Sequence, residues 1–257
     1  MPIKLLEINK DSITKDIVKN DFGLSSFSIE KSSCNDVIIS IIGTGLPTHS
    51  DLRNIKDFDI MTNNRESIDD EIGASTILGG IINSTNKHIP GLLTSVDLLF
   101  TKAIDKISSF NDYSSILSSI IWSIAKNANI IILPFIFTKD FLPFSNVIKK
   151  AYDNGVIILV PEQKGFLFKN KQILMSRIEY SEEYSISCKR SLCVNMPYSK
   201  IYSLYGDNSF IESSIEYASL GITASIISTI IKKNRSFSGP ILNILEKEIN
   251  SLRPKGI

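Results

Sequence analysis

Val37-Ile38-Ile39-Ser40-Ile41-Ile42-Gly43-Thr44-Gly45-Leu46 carries five β-branched apolar residues in its first six positions and then enters a Gly-Thr-Gly turn. Such a run, closed by glycine, reads as a strand buried on both faces. Leu98 to Ile104, Ile130 to Leu133 and Val156 to Val160 repeat the pattern. Between them, Ser114 to Asn127 sets Ile116, Ile120, Ile121 and Ile124 on one helical face, and Phe144 to Asn154 ends in Asn154-Gly155, a helix stop. Strands alternating with helices of this length predict a three-layer α/β/α fold with a mainly parallel central sheet. Helices are expected again over Ser219 to Asn234 and Gly239 to Ser251. The stretch from Phe166 to Tyr217 is less regular, and runs such as Ser191 to Asn195 read there as lesser or antiparallel strands.

The chain has 257 residues, 28 Lys and Arg against 27 Asp and Glu, and a net charge of +1. That balance lacks the basic excess by which nucleic acid or an anionic membrane is held, so neither is expected as a partner. A hydrophobic share of 43% supports a sizeable core. The three cysteines, Cys34, Cys188 and Cys193, are an odd number in a chain too long to need disulfide staples, which fits a reducing compartment. No apolar span of eighteen residues occurs, because Lys126 and Lys232-Lys233 interrupt the candidates. The expectation is a cytoplasmic protein with an N-terminal segment over 1–35 and a single domain over 36–257.

Functional groups of an open α/β sheet gather at the carboxyl ends of its strands. There the turn Gly43-Thr44-Gly45 with His49-Ser50-Asp51-Leu52, the segment Gly73 to Ile82 and the turn Tyr217-Ala218-Ser219-Leu220-Gly221 together resemble motifs of the subtilisin-like serine proteases, the subtilases. Val37 to Leu46 with His49-Ser50-Asp51-Leu52 is similar to the family's V-x-V-A-V-I-D-T-G-I…H-P-D-L, and Gly73 to Ile82 to its H-G-T-H-V-A-G-x-I. Ile121-Trp122-Ser123-Ile124-Ala125-Lys126-Asn127 matches I-x-W-A-I-x-N, and Ala151 to Val160 resembles A-x-x-x-G-V-V-V-V-A. Tyr217-Ala218-Ser219-Leu220-Gly221 looks like G-T-S-M-A. The matches occur in family order without a large insertion, and they imply a subtilisin-like fold for 36–257.

The same resemblance puts the catalytic Asp on Gly43, the catalytic His on Gly73, the oxyanion Asn on Gln163 and the nucleophile on Ser219. Triad hydrolysis needs an imidazole base, an orienting carboxylate and oxyanion donors. Glycine supplies neither of the first two, so no catalytic residue is assigned and Ser219 reads as a remnant. Its expected role is N-cap of the helix that follows. His49 matches a structural histidine of the family, and His88 lies in a loop. Asp69-Asp70-Glu71 and Glu162 are the carboxylates nearest the degenerate positions. The charge run ahead of Gly73 reads as solvated and favourable to a helix dipole.

Subtilases take peptides by strand addition to two edges. By resemblance these edges fall on Ser109, Phe110 and Asn111 and on Pro134, Phe135 and Ile136. Pro134 removes an N–H donor, while Phe110 and Ile136 add bulk where the family has glycine. Phe135, Phe137, Phe141, Leu142 and Phe144 read either as core or as a partner-binding patch. The family's calcium loop falls on Asn83 to Pro90, where Lys87 and His88 replace oxygen donors, so no metal and no cofactor is expected. The functional expectation is an inactive subtilisin-like pseudoprotease that binds a peptide or partner protein. Its settings would be peptide natural-product maturation or regulation of an active protease. The alternatives are a hydrolase with a non-standard Ser219 dyad using Glu71, Asp70 or a substrate group, and a structural subunit of an assembly.

Overall fold

The structure, a computed structural model, describes residues 3–15, 32–62, 67–105, 113–137, 142–163, 171–182, 185–188, 191–234, 244–245 and 247–249. In chain order the elements are β1 (Ile3–Leu5), β2 (Ile13–Thr14), β3 (Ser32–Gly43), β4 (Ile55–Ile60), α1 (Ala74–Asn83), β5 (Leu93–Lys102) and α2 (Tyr113–Ala125). They continue through β6 (Ile130–Ile132), β7 (Phe135–Phe137), α3 (Leu142–Asp153), β8 (Ile157–Pro161), β9 (Ile173–Tyr180) and β10 (Ser185–Cys188). The last are β11 (Ser191–Met196), β12 (Tyr202–Tyr205), β13 (Ser209–Glu212) and α4 (Ile215–Lys233).

Eight strands form the central sheet in the order β10-β11-β9-β8-β6-β3-β5-β4, all parallel to their neighbours except β10. Helices α1 and α4 pack together over one face, with α2 and α3 on the other. This is the expected three-layer α/β fold, like that of subtilisin. The apolar run of β3 lies between β5 and β6, with Ile39, Ile41 and Ile42 fully buried. Its one polar residue, Ser40, meets Ser123 of α2 at 2.7 Å between hydroxyls.

Several expectations need correction. In α2 the buried residues are Ile116 and Ile120 with Ser115, Ser119 and Ser123, while Ile121 is 44% exposed. Close approach to β3 selects the small serines, and the hydroxyls of Ser119 and Ser123 bond back to the carbonyls four residues earlier. The irregular stretch contains β9, an eight-residue parallel strand of the main sheet, and β11, also parallel. Edge strand β4, Ile-Lys-Asp-Phe-Asp-Ile, carries three charges and gives no apolar run. Most of Gly239 to Ser251 lies outside the described residues.

Helix α4 starts at Ile215, with Ser214 at the N-cap, so Ser219 is its fifth residue and not its cap. No glycine interrupts 215–220, and Tyr217 stands where the resemblance has one, so the helix runs on toward its N-terminus. Every residue from Tyr217 to Ile230 is buried. Ser225, Ser228 and Thr229 give their hydroxyls to carbonyls four residues back, which lets a helix this deep carry polar side chains.

The N-terminal residues are tied to later ones. Strand β2 joins β13, and β1 pairs antiparallel with β7 in a separate two-stranded sheet, with Ile3, Lys4 and Leu5 opposite Phe137, Ile136 and Phe135. Ile3, Leu5 and Leu6 are buried. Burying three such side chains stabilises by about 5–9 kcal/mol, and fixing four residues of backbone costs about 4–8 kcal/mol. The attachment of β1 is close to balance.

Candidate functional site

Gly43 ends β3 at the carboxyl edge of the sheet, where the sequence reading places an aspartate in the family. A Cβ on Gly43 would overlap the Ser75 hydroxyl, which sits in that space and accepts the backbone N–H of Thr44 at 3.0 Å. Gly73 precedes α1 with φ 104°, a left-handed conformation that favours glycine. A Cβ there would overlap the ring of Tyr205, from β12. At the two positions where the resemblance puts carboxylate and imidazole, the adjoining space is therefore filled by a hydroxyl and a phenol ring from elsewhere.

Asp70 corrects the solvated charge run. Its carboxylate is buried and accepts from the Thr44 hydroxyl at 2.5 Å, the Gly73 N–H at 2.9 Å, and the Thr76 N–H and hydroxyl, each at 2.7 Å. It thereby caps α1 from outside and joins that helix to the Gly-Thr-Gly turn. Burial pushes the carboxyl above the usual aspartate range, opposed by these four hydrogen bonds. Both oxygens are engaged in the cap, and neither bonds Ser219.

Ser219 is 1% exposed. Its hydroxyl lies 3.0 Å from that of Ser176 in β9 and donates to the carbonyl of Glu216 at 2.9 Å. No imidazole shares in this arrangement. His49 is buried against Phe210 and accepts the Asp51 N–H at Nδ1. Burial holds it below the usual histidine range, opposed first by the nearby Asp51 carboxylate. His88 is exposed in a loop whose turn is made by Asn86, which accepts the His88 and Ile89 N–H groups.

Gln163 turns its amide toward β7. Its Oε1 accepts the Phe137 N–H at 2.7 Å, and its Nε2 donates to the carbonyls of Phe135 and Pro161, each at 3.2 Å. Side chain and strand make a short ladder that consumes the donors an oxyanion would need. Of the apolar cluster, Phe135, Phe137 and Phe144 are core residues, with Phe137 and Phe144 stacked at 4.7 Å, which overturns the partner-patch reading for these three. Phe141 lies outside the described residues, as do Ser109, Phe110 and Asn111.

The other predicted edge, Pro134 to Ile136, leads into and forms part of β7, and β1 lies along it. Leu6 donates its N–H to the Pro134 carbonyl at 3.0 Å. Proline has no N–H to return, and the Leu6 carbonyl accepts the Tyr217 hydroxyl instead, at 3.2 Å. Burial pushes the Tyr217 phenol up, with the Asp70 and Glu216 carboxylates adding to it. Beside β1 lies a cavity of about 580 Å³, lined in part by Lys4, Glu7, Ile136, Glu162, Ser214 and Glu216. Sequence reasoning singled out Pro134 and Tyr217 separately. It missed Ser75, Ser176, Tyr205 and the residues of β1, and only the small-residue pattern of Gly73-Ala74-Ser75 hinted at close approach.

No helix among the described residues is long and apolar enough to cross a membrane. No family model matches the chain. Over 126 residues, 48% of this chain and 19% of the relative, it is 28% identical to the minor extracellular protease Epr of Bacillus subtilis (strain 168). The match spans about a fifth of that protein and supports a distant subtilase-like relationship.

Proposed function

We propose that this chain is a subtilase-like protein without peptidase activity, acting by binding a peptide or a partner protein. The observation that carries the reading is the filled space at Gly43 and Gly73: neither aligned position has a catalytic side chain, and Ser75 and Tyr205 take the room that one would need. Removing a subtilisin-type triad as a unit lowers turnover by about 10⁶, and what remains rests on the oxyanion donors and binding. Here Gln163 spends its donors on backbone carbonyls, and Ser219 lies inside a buried helix. The strand edge at Pro134 to Ile136 and the adjoining cavity support binding as the surviving role.

Incubation of the folded protein with a fluorophosphonate probe tests this. No labelling is expected. Labelling at Ser219 that disappears in Ser219→Ala would overturn the reading in favour of a working serine hydrolase.

A further inference from the structure

Strand β4 ends the central sheet, and among the described residues no strand lies beyond it. Its inner edge is used: β4 runs parallel to β5, and just past its end Met61 donates its N–H to the Lys102 carbonyl at 3.0 Å. Backbone groups alternate in direction along a strand, so Asp57 and Asp59 also turn their N–H groups toward β5, while Phe58 and Ile60 turn theirs outward. At a bare edge such donors are a template for another chain. Here each is taken by the carboxylate of the residue before it. Asp57 Oδ1 accepts the Phe58 N–H and Asp59 Oδ1 accepts the Ile60 N–H, both at 2.8 Å. The second Asp57 oxygen holds Lys126 at 2.7 Å, which fixes that carboxylate in place.

We infer that Asp57 and Asp59 guard the β4 edge against a second copy of this chain, and that without them two copies join through β4 into one continuous sheet. An antiparallel join bonds outward-facing residues to outward-facing residues. The twofold register centred on Phe58 sets Phe58 against Phe58 of the second copy, and it sets Asp57 against Asp59. Sliding the copies until Phe58 meets Ile60 sets Asp59 against Asp59. Both registers that use Phe58 therefore bring carboxylates face to face, and like charges directly opposite are destabilising. Lys56 and Lys126 are already engaged, by Asp97 and Asp57, each at 2.7 Å. The aspartates thus act in two ways: they occupy the donors that the second copy would use, and they repel one another across the join. With both removed, the strand is complementary to itself, apolar Phe58 meeting apolar Phe58 or Ile60.

Light scattering and amide exchange on the full chain test this. Asp57→Ala with Asp59→Ala is expected to double the particle mass relative to the parent, with self-association at least tenfold tighter. Exchange at Phe58 and Ile60 is expected to slow as the variant is concentrated, and to be independent of concentration in the parent. Adding Ile60→Pro removes an outward N–H and leaves the ladder with β5 intact, so it is expected to weaken the association at least tenfold.

An unchanged mass in a double variant that keeps native circular dichroism and β5 protection overturns the inference. If the double variant loses that protection, Asp59→Ala alone decides. The Asp59 carboxylate is bonded within its own strand, so its removal frees the Ile60 N–H: tighter association supports the guard and an unchanged mass overturns it. Doubling that survives Ile60→Pro also overturns it, by placing the contact elsewhere. So does a parent whose Phe58 and Ile60 exchange already slows with concentration. Finally, if the double variant keeps the parent's mass while unrelated extended peptides slow exchange at Phe58 and Ile60, the edge takes peptides and not a second copy.

Discussion

Gly73 combines a left-handed backbone with contact against an aromatic ring, and either alone would penalise a side chain. Gly73→Ala should therefore destabilise by about 2–4 kcal/mol, the sum of backbone strain and overpacking. Its urea unfolding midpoint would fall, with the slope unchanged. An alanine variant as stable as the parent would mean that Tyr205 yields the space freely. The sequence alone singles out Gly43 and Gly73, because the resemblance puts two named side chains there. What fills their places was not legible. Tyr205 lies 132 residues beyond Gly73, and no local pattern ties a phenol in a hairpin strand to the first turn of a distant helix.

At the scale of elements, the strands that could be read were those with a dense run of apolar residues. β6 and β8 are buried on both faces, so their burial is written as composition. β9 escaped because Ser176 and Arg177 break its run, and Ser176 is polar for a reason internal to the fold: it faces Ser219. β7 depends on its clamp. Gln163→Leu would leave the Phe137 N–H and the Phe135 carbonyl buried without their partner, at a cost of about 2–4 kcal/mol. The check is equilibrium unfolding combined with amide exchange. Phe137 should lose protection well beyond the global change, whereas a uniform loss would show that β7 does not rely on the side chain.

At the scale of the whole molecule, His49 contributes to pH dependence, and it joins the turn after β3 to the hairpin of β12 and β13 through Phe210. Burial favours its neutral form in the fold, so it is depressed below its ordinary value of 6.5. A depressed folded value means that the contribution is complete above pH 6.5 and declines as the pH falls below it. The urea midpoint of the parent should drop between pH 7 and pH 5 more steeply than that of His49→Gln, and identical slopes would remove His49 from the account. The glycine positions matter at this scale too, because the atoms that fill them come from α1 and β12 while the vacancies belong to β3 and the turn before α1. An engineer installing an aspartate at 43 and a histidine at 73 would first have to shrink Ser75 and Tyr205, losing the bond to Thr44 and leaving a hole in the hairpin packing. Each of these changes taken singly costs the fold stability, so larger side chains can enter at 43 and 73 only in one coordinated move with their neighbours.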